Sequence, residues 1–461
     1  MRVPGRLITR AFGSVARALG LASALCVVEA CARDPLPPLG QVLVYVDTDA
    51  PVSGGDPGGP APLFDRLRVE IFAPGDKTPC AGCARELVLD AGKLAGRAFS
   101  FGFAPRPREL GWRVRLTMFR SSGLSTPRRA SSVELVGYLP AVGEEGVSAI
   151  TARLRVDEVG APRGTLDAPV LFEDGAPTES AVGTWPGARV VDCARPPPPG
   201  AACVPGGAFF VGDPRVNVER GQVAGAREHL VVLSPYHLDA REVTVADLRA
   251  SGLAVLDSRG RAIDPVDDMR DALAGRCDYT TAAGPHEALP VTCVSWELAR
   301  RFCQARGGDL PTEAQLEAVA TSRGSKLAPW GDRDPSCAEA SIGLSLARSG
   351  GGCADVDPTA IGSRTLPAAP GAGTADRVDL GGVAIVDVGA NVAEWTRDAF
   401  ADDDGACWSG DVLRDPSCVD PAARRSIKGA DYLTLPPEYA PARRAGLPEG
   451  DARVGFRCAY P

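Results

Sequence analysis

The spacing of its cysteines restricts how this chain can fold more than any other feature. Fourteen cysteines occur in 461 residues, and all but Cys26 and Cys31 lie beyond the N-terminal segment, leaving an even set. Proximity pairs Cys80 with Cys83, Cys193 with Cys203, Cys277 with Cys293, Cys337 with Cys353 and Cys407 with Cys418. Such a framework belongs to an oxidising compartment, where each bridge closes a loop that the reduced chain would leave open. Cys80-Ala81-Gly82-Cys83 has a second reading, a redox Cys-x-x-Cys. That chemistry normally opens a helix in a βαβ unit, and the residues around it alternate as strands, so a loop staple is expected.

The N-terminus agrees with export. Arg2, Arg6, Arg10 and Arg17 precede an apolar run over 18–30 that is short for a membrane span. Residues 1–30 read as a signal peptide. Val28-Glu29-Ala30-Cys31 resembles a bacterial lipobox, which makes Cys31 the lipidated first residue of a Pro-rich tether over 31–40. Glu29 departs from that pattern, and simple cleavage after Ala30, giving a secreted or periplasmic protein, is the alternative. The expected location is the cell envelope, at a membrane through the lipid anchor. Formal charge is −8 and becomes more negative once the arginine-bearing leader is removed. Nucleic acid is not an expected partner, because phosphate binding needs clustered positive charge.

Residues 41–156 alternate with period two. Val42, Val44 and Val46 share a face, as do Leu67, Val69 and Ile71, then Phe99, Phe101 and Phe103, then Trp112, Val114, Leu116 and Met118. With the runs over 133–138 and 147–156 they predict an antiparallel, immunoglobulin-like β-sandwich carrying no acid/base or metal constellation. Residues 157–204 are rich in Gly, Ala and Pro, end in Pro196-Pro197-Pro198-Pro199 and read as a stiff linker, with Trp185 as a docking residue. The region 205–461 reads as α+β with long loops. Ser295 caps a predicted helix over 297–305. Thr312 with Gln315 forms a capping box for a second helix that buries Leu316, Val319 and Ala320.

That last region carries a ladder of motifs. In order they are Gly206-Gly207-Ala208-Phe209, Glu242-Val243-Thr244, Pro290-Val291-Thr292-Cys293-Val294-Ser295-Trp296, Leu310-Pro311-Thr312-Glu313-Ala314, Pro329-Trp330-Gly331, Asn391-Val392-Ala393-Glu394-Trp395 and Gly455-Phe456-Arg457-Cys458. The ladder resembles the formylglycine-generating enzyme / sulfatase-modifying factor family. The resemblance implies a mixed α/β core related in shape to C-type-lectin-like folds, and a bridge between Cys303 and Cys458. Two departures stand out: Asp309 replaces a usual arginine and Leu316 a usual tryptophan.

Oxidases of that family hold copper(I) with two cysteines, since thiolate suits a soft ion. The equivalent stretch here runs from Lys428-Gly429-Ala430-Asp431 to Tyr439, with Thr434 and Tyr439 at the cysteine positions and Asp431 at a serine position. Copper is therefore not expected. A second branch uses iron held by three histidines, but this chain has only His229, His237 and His286 and no paired-histidine helix. Calcium remains the one cofactor to entertain, with Asn391 and Glu394 as its expected ligands because a hard cation takes oxygen donors. The loop between Cys407 and Cys418, carrying Trp408, is the expected recognition element. The expectation is a catalytically silent domain that binds a peptide, glycan or protein ligand. The alternative is an oxidoreductase acting on a protein cysteine, with Cys407 and Cys418 as free thiols or Thr434 and Tyr439 in new roles.

Overall fold

A computed structural model describes residues 40–461 apart from 56–58, 122–128, 214–227, 257–261, 264–276, 280–281, 337, 343–366, 402–404, 421–423, 435–439, 443 and 448–452. The signal peptide, Cys31, Cys337, Cys353 and Tyr439 lie outside the described residues.

The alternation of the front region becomes two facing sheets. One orders the strands Ser100–Phe103, Gln41–Thr48, Val147–Leu154 and Glu173–Asp174. The other orders Ala84–Val88, Arg66–Phe72, Arg113–Phe119 and Val133–Tyr138. Val42, Val44, Leu67, Val114, Leu116 and Met118 are fully buried between them. Each such side chain contributes about 1.5–3 kcal/mol by leaving water. The sandwich is not purely antiparallel as expected: Gln41–Thr48 runs parallel to Val147–Leu154, with Val44 opposite Ile150. Alternation fixes which side chains face inward; it carries no record of a neighbour's direction.

The stretch 157–204, expected as a linker, is packed. Glu173–Asp174 pairs with Val147–Leu154, and Val159, Trp185 and Ala188 enter the front core. The Trp185 indole donates to Asp157 Oδ1 at 2.8 Å. Beyond the Cys193–Cys203 bridge, Ala201–Val204 pairs with Tyr236–Asp239. Proline removes ladder donors, which thins regular structure without preventing burial.

The C-terminal region is built from small sheets and three short helices. Gly207–Val211 pairs with His229–Leu233. Ala459–Tyr460 joins Tyr236–Asp239, opposite Ala201–Val204. The sheet nearest the candidate site orders Ala445–Leu447, Arg425–Lys428, Ala393–Ala399 and Val454–Gly455. Helix Trp296–Ala305 is capped by Ser295, whose hydroxyl accepts from Leu298 N at 3.2 Å. Helix Glu313–Ala320 carries the expected capping box, Gln315 N to Thr312 Oγ1 at 3.1 Å and Thr312 N to Gln315 Oε1 at 2.8 Å. A third helix, Val245–Ser251, starts on the same device from Thr244 and Asp247. The Asp309 departure has a local partner, since Arg300 Nε donates to it at 2.9 Å, and Leu316 is buried where the bulkier residue was expected.

The two regions share one interface. Ala208, Phe210 and Leu230 complete the front core, and Phe210 meets Phe64 edge-to-face with centroids 5.6 Å apart. Arg120 of the front region donates to Glu228 Oε1 at 3.0 Å and to the Gly324 carbonyl at 2.7 Å. Ser131 donates to the other Glu228 oxygen at 3.0 Å.

Candidate functional site

Strands Ala393–Ala399 and Arg425–Lys428 run antiparallel, with Glu394 opposite Lys428 and Trp395 opposite Ile427. Lys428 turns its ammonium inward to Glu317 Oε2 at 2.6 Å, and both side chains are sealed from water. The chain then turns at Gly429, whose φ of +86° is one that glycine adopts without strain. Its carbonyl neighbours are fixed next: Tyr432 N donates to the Asn391 carbonyl at 2.8 Å.

The turn that follows occupies the place of the family's metal-holding cysteines. Leu433 N donates to Asp431 Oδ1 at 2.8 Å, Thr434 N to the Asp431 carbonyl at 2.9 Å, and Asp431 N to Thr434 Oγ1 at 3.0 Å. Asp431 and Thr434 thus close a self-contained hydrogen-bonded loop of the kind short polar side chains favour. Arg453 Nη1 stands 4.0 Å from Asp431 Oδ2. Beside them lies a cleft of about 140 Å³, walled by Ala393, Ile427, Ala445, Leu447 and Val454 and edged by Asp431, Thr434 and Arg453. Carboxylate and hydroxyl are hard oxygen donors and do not fit copper(I).

Asn391 and Glu394, expected around calcium, are committed elsewhere. Both Glu394 oxygens accept from Arg457 Nε at 2.8 Å, and Arg457 Nη2 adds a bond at 2.6 Å. Asn391 Oδ1 accepts from Ala368 N at 2.9 Å, while its amide donates to Glu242 Oε2 at 2.9 Å. A guanidinium stands where the cation's charge was expected, so calcium on these two side chains does not fit. Among the described residues no group of three or more His, Cys, Asp or Glu is arranged to hold a metal ion.

Arg457 instead organises a buried acid cluster. It also donates to the carbonyls of Val386 at 3.0 Å and Asp387 at 2.8 Å. Burial, then the charges of Asp387 and Glu394, raises Glu242 well above the usual carboxylate range. Burial and the neighbouring Asp387 push Asp376 up to about 7, and burial pushes Asp387 to about 6. One arginine cannot balance four desolvated carboxyls, so protons do the remaining neutralisation. The motifs Glu242-Val243-Thr244 and Gly455-Phe456-Arg457-Cys458 signalled these partners in sequence, but only as isolated rungs. Asp376 and Arg453 stand in no such motif.

Trp408 is not an exposed recognition residue. It is 3% exposed, with the Arg444 guanidinium 4.8 Å from its ring centre and the His229 ring at 5.6 Å. The flanking bridge Cys407–Cys418 folds the loop back over a core that takes the indole in. Five disulfides form among the described residues: Cys80–Cys83, Cys193–Cys203, Cys277–Cys293, Cys303–Cys458 and Cys407–Cys418. They indicate an oxidising, exported location. No helix among the described residues is long and apolar enough to cross a membrane.

Comparison with known proteins places this architecture. Among solved structures, PvdO from Pseudomonas aeruginosa is similar at 20% identity over 60% of this chain and 98% of its own, with a TM-score of 0.40. Treponema denticola variable protein 1 is similar at 15% identity over 56% of this chain and 94% of its own, with a TM-score of 0.37. CarF matches at 15% identity over 57% of this chain and 97% of its own, with a TM-score of 0.34. No curated protein matches the chain. The family model for the sulfatase-modifying factor enzyme 1-like domain matches residues 188–460, beginning earlier than the motif ladder and taking in the packed stretch before it. The chain therefore belongs to the sulfatase-modifying factor (FGE-sulfatase) family through its C-terminal half.

Proposed function

We propose that this chain is an exported recognition protein whose sulfatase-modifying-factor domain binds a ligand without performing the family's oxidation. Cys31 would carry the lipid that holds it at the envelope membrane. The observation that carries the proposal is the Asp431–Thr434 turn, which fills the metal-holding position with oxygen donors already bonded to one another. The alternative, an oxidoreductase acting on a protein cysteine, needs free sulfur. Cys277, Cys293, Cys303, Cys407, Cys418 and Cys458 are all bonded in pairs. The cleft beside the turn has room for one side chain or a comparable group, with an apolar body and a polar edge facing Asp431 and Arg453. The ligand expected is a peptide, glycan or protein of the envelope.

The test pairs chemistry with binding. Purified protein is incubated with copper(I) and a cysteine-bearing peptide, its free thiols are counted, and peptide and glycan arrays are probed. The proposal requires no aldehyde product, no tight copper binding and array binding that Leu447→Trp weakens by filling the cleft. Aldehyde formation would end it.

A further inference from the structure

We infer that Cys80–Cys83 in the front region is a reversible thiol-exchange site, chemically separate from the structural bridges of the same chain. The four residues Cys80 to Cys83 form a turn closed by Cys83 N donating to the Cys80 carbonyl at 2.9 Å, with Gly82 at φ +73°. The turn is also tied to the adjoining strand Arg66–Phe72. Cys80 N donates to the Ile71 carbonyl at 2.9 Å, and Ile71 N donates to the Cys83 carbonyl at 3.2 Å. Three backbone hydrogen bonds therefore hold the two cysteines together whether or not their sulfurs are joined. The ring encloses only Ala81 and Gly82, so the bond removes little entropy from the unfolded chain.

Access points the same way. Cys80 and Cys83 are half-buried, and Ala81 and Gly82 between them are exposed. The strand that follows, Ala84–Val88, lies at the edge of its sheet and is largely exposed. By contrast Cys303 and Cys458 have no exposed surface and a sequence separation of 155, so an attacking thiolate reaches them only after unfolding. Cys193–Cys203 shares the half exposure, but its sequence separation is 10 and its reduction frees more chain. Exchange follows access and the thiolate character of the attacker.

The partner is an external thiol, either a small thiol or the cysteine of an oxidoreductase. Its thiolate attacks one sulfur of the pair, the Cys80–Cys83 bond breaks, and a mixed disulfide forms as the other cysteine leaves as thiolate. A second external thiol attacks that mixed disulfide and departs as the external disulfide. Two electrons and two protons pass to the protein, leaving Cys80 and Cys83 as thiols.

The experiment equilibrates the full mature chain in glutathione buffers of graded poise, alkylates, and maps labelled peptides by mass spectrometry. Hydrogen exchange and melting are followed in parallel. Cys80 and Cys83 should become labelled at a reduced-to-oxidised ratio at least about tenfold below that needed for Cys303 and Cys458. Amide protection of 66–88 should persist, and the Cys80→Ser/Cys83→Ser variant should melt within about 2 °C of the parent. Opening of both bridges at one poise would overturn the inference, as would loss of the strand protection on reduction.

Discussion

Lys428 Nζ lies 2.6 Å from Glu317 Oε2, and each side chain is 2% exposed. The lysine ends the strand that leads into the site turn, and the glutamate belongs to helix Glu313–Ala320, so one ion pair fixes the turn's approach to the core. Glu317 Oε1 also accepts from Gly212 N at 2.5 Å, tying in the strand Gly207–Val211.

Breaking that pair on one side strands a charge away from water. Lys428→Met is expected to lower unfolding free energy by about 3–5 kcal/mol, whereas Lys428→Met with Glu317→Leu recovers much of it because neither charge remains. Denaturant titration of both variants checks this; equal losses would contradict it.

The Cys303–Cys458 bridge pins the C-terminal strand under helix Trp296–Ala305, where Phe302 and Phe456 meet edge-to-face at 5.4 Å. Replacing both cysteines by serine should cost about 2–5 kcal/mol. Calorimetry would show the loss as a lower melting temperature, independent of any ligand.

Stability should fall as pH rises across the weakly acidic range. Burial pushes Asp278 up to about 7, burial and the Asp387 charge do so for Asp376, and burial with the Glu313 charge does so for Asp398. Unfolded aspartates ionise near 4. The native state therefore holds more protons between about pH 4 and 7, and its stability, greatest at the acid end, is lost as pH climbs through that window. The slope is roughly 1.4 kcal/mol per pH unit for each group that remains protonated only when folded. Unfolding curves at pH 5.5 and 8 measure it, and Asp376→Asn should flatten the profile. Below that window the order reverses for Glu339, which Arg333 and Ser336 hold down at about 2.

The front and C-terminal regions should unfold together. Phe210→Ala removes the ring that meets Phe64 and should cost about 3–5 kcal/mol. A single calorimetric transition is expected for the parent chain. Two separate transitions would show that the shared core and the Arg120–Glu228 pair do not couple the regions.

The sequence by itself determined the short-range structure: alternation gave the inward faces of Val42, Val44 and Leu116, and Ser295 and Thr312 marked helix starts, because these depend on neighbours a few residues away. The motif ladder likewise located the family domain. Tertiary structure alone decided the rest. It set the parallel strand pair, drew 157–204 into the core, buried Trp408 and seated Glu394 on Arg457 instead of a cation. Each of those outcomes turns on desolvation and on partners far along the chain. Glu394 and Arg457 are 63 residues apart, and a carboxylate's role is fixed by whichever charge reaches it once water is excluded.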